Sequence, residues 1–161
     1  MKKDFFEIAQ LRPLLATLPA DRAPHWGMMT PQHMVEHLAF AVALSNGKVP
    51  MPLAIPEEKA GRAQARLLDP AWRMPREFKA VFMPADSLLP LAYSSLEEAT
   101  EALFEQIADF HAFFDQNPHA TPTHPYFGAL DRATWALLHH KHFAHHLEQF
   151  GALQADWGIA V

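Results

Sequence analysis

Two histidines on one core-facing helix stripe constrain this chain more than any other feature. They are His142 and His146, within Lys141-His142-Phe143-Ala144-His145-His146-Leu147-Glu148-Gln149-Phe150-Gly151. The segment from Asp131 reads as one helix, where residues four apart share a face. Stepping about 100° per residue from Trp135 brings Leu138, His142, His146, Gln149 and Phe150 within roughly 60° of it. That apolar stripe must face the interior. His140 and Lys141 fall well away from the stripe, and His145 falls at its edge. An unpartnered imidazole nitrogen in an apolar interior costs on the order of a few kcal/mol. Each ring can be satisfied as an ordinary core histidine by a side chain, a carbonyl or water. A pair at this spacing equally suits metal ligation, because one helix then offers two neutral imidazoles to one ion. An ion would need at least one more protein ligand.

The remaining chain can supply a core around such a site. It has 161 residues, half of them hydrophobic, with twelve Phe and four Trp. One domain over residues 1–161 is expected at this length. Lys and Arg total 13 against 18 Asp and Glu, for a net charge of −5. Without a basic cluster, nucleic acid and anionic membrane are not expected partners. Eleven histidines keep metal binding in view. There are no cysteines, so disulfides, Cys-based zinc sites and thiol nucleophiles are excluded. Asp4, Glu7 and Arg12 interrupt any signal-like apolar run at the N-terminus. No stretch reaches transmembrane length, and a soluble, cytoplasmic protein is expected.

Periodicity and capping residues predict four long helices. Phe5, Ile8, Leu11, Leu15 and Leu18 suggest a first helix over about 4–18, with a kink or late start at Pro13. Pro19–Pro24 reads as a loop. Thr30-Pro31 is a strong start for a second helix, running to about Ser45 before Asn46-Gly47. On its wheel His37 lies between Met34 and Leu44, facing the core. Glu36 points the other way, and His33 sits nearer the rim. Seven of the fourteen prolines fall between Lys48 and Tyr93, so only a short helix, about Glu57–Leu68, is expected there. The rest of that segment, through Trp72, Phe78, Val81, Phe82 and Met83, should be irregular. It would either seal the core or wall a pocket.

Ser95–Phe114 is the clearest amphipathic helix. Leu96, Ala99, Leu103, Ile107, Phe110 and Phe114 form its core face, opposite a solvated face of Glu98, Glu101, Glu105 and Asp109. His111 lies on the flank, from which it could reach the site, but it reads better as a hydrogen-bonded core residue. Asn117–Gly128 reads as a loop. Asp131 caps the last helix, Gly151 ends it, and Trp157 lies in a short tail. Too few alternating runs exist to argue for a sheet. The expected fold class is all-α, a four-helix bundle with a Pro-rich irregular insertion between the second and third long helices.

If the second and last helices are neighbours, His37, His142 and His146 can converge. Three protein ligands with an open fourth position is the arrangement of a catalytic divalent site, where the ion acidifies water or polarises an oxygen. The helix lacks a His-Glu-x-x-His motif, since Phe143 follows His142, so zincin-type proteolysis is not expected.

Two blocks carry a resemblance. One is Trp-Gly-x-Met-Thr-x-x-x-Met-x-x-His-Leu, from Trp26 to Leu38. The other is His-Pro-Tyr-Phe-Gly-x-Leu followed by Trp and Lys-His-x-x-His-His-Leu-x-Gln-Phe-Gly, from His124 to Gly151. In these blocks the chain resembles the DinB/YfiT-like superfamily of metalloenzymes, within a branch of uncharacterised function. The resemblance implies a four-helix bundle holding a metal by one histidine of the second helix and an i, i+4 pair of the last. By position these are His37, His142 and His146. The wider superfamily includes transferases and isomerases that use bacillithiol or mycothiol.

Three functions follow as alternatives. The first is a metal-dependent enzyme, of thiol S-transferase or hydrolase type, acting on a small molecule or low-molecular-weight thiol. The second is a non-catalytic bundle holding a metal or apolar ligand, with Gln149 hydrogen-bonding that ligand or a bound water. The third is a structural bundle with satisfied core histidines. Zinc, nickel and iron all accept imidazole, so the metal is not named. Homodimerisation is compatible with such a bundle, but no surface is fixed for it.

Overall fold

Proline and capping residues set where the helices run. The computed structural model describes residues 3–76, 78 and 88–153. Five helices and one two-stranded ribbon occur among them. α1 spans Ile8–Ala16, shorter than its apolar pattern, and begins after the N-terminal turn. Pro13 is accommodated inside it. α2 spans Pro31–Ala43. Thr30 caps it by accepting from the His33 amide at 3.2 Å, and Pro31 takes the first turn. α3 covers Glu57–Leu68 and buries Ala60, Ala63 and Leu67.

α4 spans Leu96–Gln116, capped by Ser95, whose hydroxyl accepts from the Glu98 amide at 3.1 Å. It buries Leu103, Ile107, Phe110 and Phe114, as its apolar pattern requires. α5 spans Arg132–Gln149, and the Asp131 carboxylate accepts from the Thr134 amide at 2.8 Å. Gly151 follows α5 with φ 72°, the left-handed geometry that ends many helices. α2 packs mainly against α4 and also meets α5, while α3 lies against α5 and the ribbon.

The ribbon corrects the expectation of a plain loop. β1 (Thr123–His124) pairs antiparallel with β2 (Gly128–Ala129). Its turn is built by a side chain. His124 Nδ1 accepts from the amides of Tyr126 at 3.0 Å and Phe127 at 3.2 Å. Two residues per strand leave no alternation for a sequence to display. The molecule is thus mostly helical, not purely so.

A second correction concerns α5. The wheel placed His140 and Lys141 away from the core, yet both are buried, as are His139 and His145. α5 is covered on several sides, by α2, by α3 and by the segment before α1. Lys141 is only 2 % exposed. Its ammonium donates to the carbonyls of Leu67 at 2.9 Å and Asp69 at 2.7 Å, at the end of α3. A cation there satisfies carbonyls that the helix end leaves open. Burial lowers the Lys141 pKa, partly opposed by Asp69. The Phe5 amide donates to His140 Nδ1 at 3.1 Å, which fastens the N-terminal segment to α5.

The described part of the Pro-rich segment seals rather than opens. Trp72 meets Phe127 edge-on at 6.2 Å, and Phe78 meets Tyr126 at 5.2 Å. Glu36, on the face of α2 opposite the core stripe, accepts from the amides of Ala92 and Tyr93 at 2.8 and 3.0 Å. That anchors the segment's exit to α2. Val81, Phe82, Met83 and Trp157 lie outside the described residues. No described helix is long and apolar enough to cross a membrane.

Candidate metal centre

α2 and α5 bring His37, His142 and His146 together. His37 Nε2 lies 2.9 Å from His142 Nε2, which lies 3.0 Å from His146 Nε2. One ligand nitrogen from each ring falls within 4.8 Å of the others. The i, i+4 spacing puts two rings on one face of α5, at 60° to each other, and His37 enters from the facing helix. The His37 ring stands at 88° to His142 and 74° to His146, so the three rings meet edge to face around one point.

The electrostatics of this point favour neutral rings. Burial lowers the His37 pKa to about 4, with nearby His145 adding to the effect. Burial, then neighbouring histidines, push His142 and His146 well below their ordinary value. Neutral imidazole is the form that binds a metal. His146 is buried, whereas His37 and His142 are half-buried.

Three neutral rings so arranged do not satisfy one another. His142 Nε2 faces two other Nε2 atoms, and a single N–H there makes one linear bond. At least one lone-pair contact is then left in a desolvated place. A divalent cation with a preference for nitrogen answers all three lone pairs at once, so the residues present fit such an ion. His37 Nδ1 is also buried, without a hydrogen-bond partner among the described residues.

Gln149 is buried, in keeping with its place on the core-facing stripe. Its Oε1 lies 2.7 Å from His146 Nδ1, and its Nε2 donates to the Trp26 carbonyl at 2.9 Å. It therefore contacts a ring of the cluster and the loop before α2. The His25 amide donates to the Gln149 carbonyl at 2.7 Å, so the loop before α2 is tied to the end of α5 twice. Trp26 also meets the His145 ring at 5.5 Å, and the Arg76 guanidinium lies over Trp26 at 4.3 Å. Helical periodicity accounts for the i, i+3 contact of Gln149 with His146, but nothing in it signals the contacts of His25 and Trp26 with α5, over a hundred residues away.

The other histidines stay outside the cluster. His33 Nδ1 lies 2.6 Å from the hydroxyl of Thr30, at the start of α2. His111 packs on Phe6 and Phe110 and lies 3.4 Å from Arg132, as a hydrogen-bonded residue at the core edge. His139 is fully enclosed, stacked between Phe6 and Trp135. Ser45 donates to the Val42 carbonyl at 2.6 Å, which leaves its oxygen to accept from His139 Nε2 at 2.8 Å. Among the described residues, His37, His142 and His146 form the group of three or more His, Asp or Glu positioned to share an ion.

No curated protein matches the chain, and no solved structure does. A family model described as a protein of unknown function (DUF1569) matches residues 84–152. That range covers less than half of the chain and leaves His37 outside it. The chain is similar to this family over α4, the ribbon and α5, the part that carries His142 and His146.

Proposed function

We propose that this chain binds one divalent metal through His37, His142 and His146, as a DinB-like four-helix bundle. The convergence of three Nε2 atoms at 2.9 and 3.0 Å carries the reading. Lone pairs crowded in a desolvated place cost free energy that a bound cation turns into ligation. A bound ion of this kind supplies Lewis acidity at a fourth, open position. The chain's own contribution is to hold three imidazoles that burial keeps neutral. The activity that fits is metal-dependent transfer to a low-molecular-weight thiol, or hydrolysis.

A second reading is a non-catalytic metal holder. It is favoured by the composition of the cluster, which contains no carboxylate to act as a base. Elemental analysis of tag-free protein tests the common premise. Wild type should carry about one zinc, nickel or iron per chain, and His37→Ala and His142→Ala should each lose it, since removing one of three ligands dismantles the site. Full metal content in both variants sinks the assignment. Turnover of an electrophile with a low-molecular-weight thiol, present in wild type and absent in His142→Ala, then separates enzyme from holder.

A further inference from the structure

We infer that Gln149 is a positioning residue that locks His146 into the tautomer with its proton on Nδ1, and that the Trp26-Gly27 turn sets the orientation of Gln149. The inference rests on the metal reading for its purpose but not for its geometry.

The Trp26 carbonyl can only accept, so the Gln149 atom 2.9 Å from it is the amide nitrogen. That fixes which way the Gln149 amide faces. Its oxygen therefore faces His146 Nδ1 at 2.7 Å, and an oxygen there accepts. His146 Nδ1 must donate and carries the ring proton. A neutral ring has one, so Nε2 is left as a bare lone pair aimed at His142 Nε2, 3.0 Å away. A side-chain amide thus does for His146 what the outer partners of metal-bound histidines do generally.

Gly27 is part of the same device. Its φ is 79°, a conformation that residues with a Cβ rarely adopt. A Cβ there would also stand 3.1 Å from Gln149 Nε2. The turn can deliver the Trp26 carbonyl to the Gln149 amide because position 27 carries no side chain. This gives the Trp-Gly pair before α2 a role that its apolar character alone does not suggest.

The test is ¹⁵N NMR of the imidazole nitrogens in zinc-free wild type, followed by zinc titration of wild type, Gln149→Met and Gly27→Ala. The expected spectrum has a protonated Nδ1 and an unprotonated Nε2 on His146. A proton on Nε2 overturns the inference, whatever the zinc data show. In Gln149→Met the single tautomer should give way to a mixture, and zinc affinity should fall by about 10- to 100-fold. Gly27→Ala should move both readouts in the same direction. Unchanged tautomer and unchanged zinc affinity in the variants overturn the inference. If Gln149→Met does not fold, Gly27→Ala and the wild-type spectrum still decide. Failure of wild type to bind zinc, nickel or iron counts against the metal reading alone, because the tautomer is read without metal.

Discussion

α4 and α5 begin alike and end in different environments. Each starts on a side-chain cap, Ser95 in one and Asp131 in the other. α4 keeps one apolar face inward and an acidic face toward solvent. α5 is wrapped on several sides and buries His139, His140, Lys141, His145, His146 and Gln149 along with its apolar residues. Polar groups on α4 cost nothing because water solvates them. Polar groups on α5 each need a partner inside the protein. Most have one: Ser45 for His139, the Phe5 amide for His140, two carbonyls for Lys141, Gln149 for His146. Pairing fails at His139 Nδ1, a lone buried nitrogen with no hydrogen-bond partner among the described residues, and at the crowded Nε2 atoms of His37, His142 and His146. Only in the second place do several unsatisfied nitrogens share one point, and that clustering marks the candidate site.

The strongest challenge to this contrast is Lys141→Ala. It leaves the Leu67 and Asp69 carbonyls without their buried donor and opens a space, and it should cost about 2–4 kcal/mol. Urea denaturation measures this directly. A loss below about 0.5 kcal/mol would mean that Lys141 reaches solvent and that α5 is amphipathic after all.

Acid should next separate α4 from α5 and the ribbon packed on it, through His139 of α5 and His124 of β1. Burial holds His124 at about 4 and His139 at about 3, against 6.5 for a free side chain. Below pH 6.5 the unfolded chain takes up protons that the folded chain refuses, so stability falls as pH falls. The decline runs from about 6.5 until the folded values are reached, and each group contributes up to about 1.4 kcal/mol per pH unit. One unit of acidification, to about pH 5.5, should therefore cost about 2 kcal/mol from these two rings. Carboxylates on α4 act later. The Ser94 hydroxyl and amide lower the Glu98 pKa below its ordinary 4.5, so its contribution is present above that value and is lost only as pH falls through the folded value. Urea midpoints at pH 6.5 and 5.5 check the order. A flat profile across that interval would show that His124 and His139 accept protons in the folded state.

The caps should respond equally, because both lie at exposed helix starts. Ser95→Ala and Asp131→Ala should each cost about 1 kcal/mol. A cost for Asp131→Ala several times larger would tie α5 formation to the whole core. The smallest effect is expected on the solvated face of α4, where Glu105→Ala should shift stability by less than about 0.5 kcal/mol. A larger loss would reveal a partner on that face.

Local chemistry determined a good deal of this protein. Thr30-Pro31, Ser95 and Asp131 declared the starts of α2, α4 and α5 because a cap needs only its own next three residues. The span of α3 was readable between the prolines, and the core face of α4 followed from its period. His37, His142 and His146 could be singled out because each sits on a stripe that its own helix turns inward. What no single helix contains is its neighbours. The convergence of those three rings depends on how α2 meets α5, and a wheel drawn on one helix is silent on it. The wheel misplaced His140 and Lys141 because amphipathic reasoning assumes one wet face, and α5 has almost none. Gln149 on Trp26, Lys141 on Leu67 and Asp69, and His124 inside its own turn are polar pairs whose partners only folding brings near. Periodicity decides which groups leave water. The tertiary structure decides what replaces the water, because a hydrogen bond acts over about 3 Å and that distance exists only once the helices have packed.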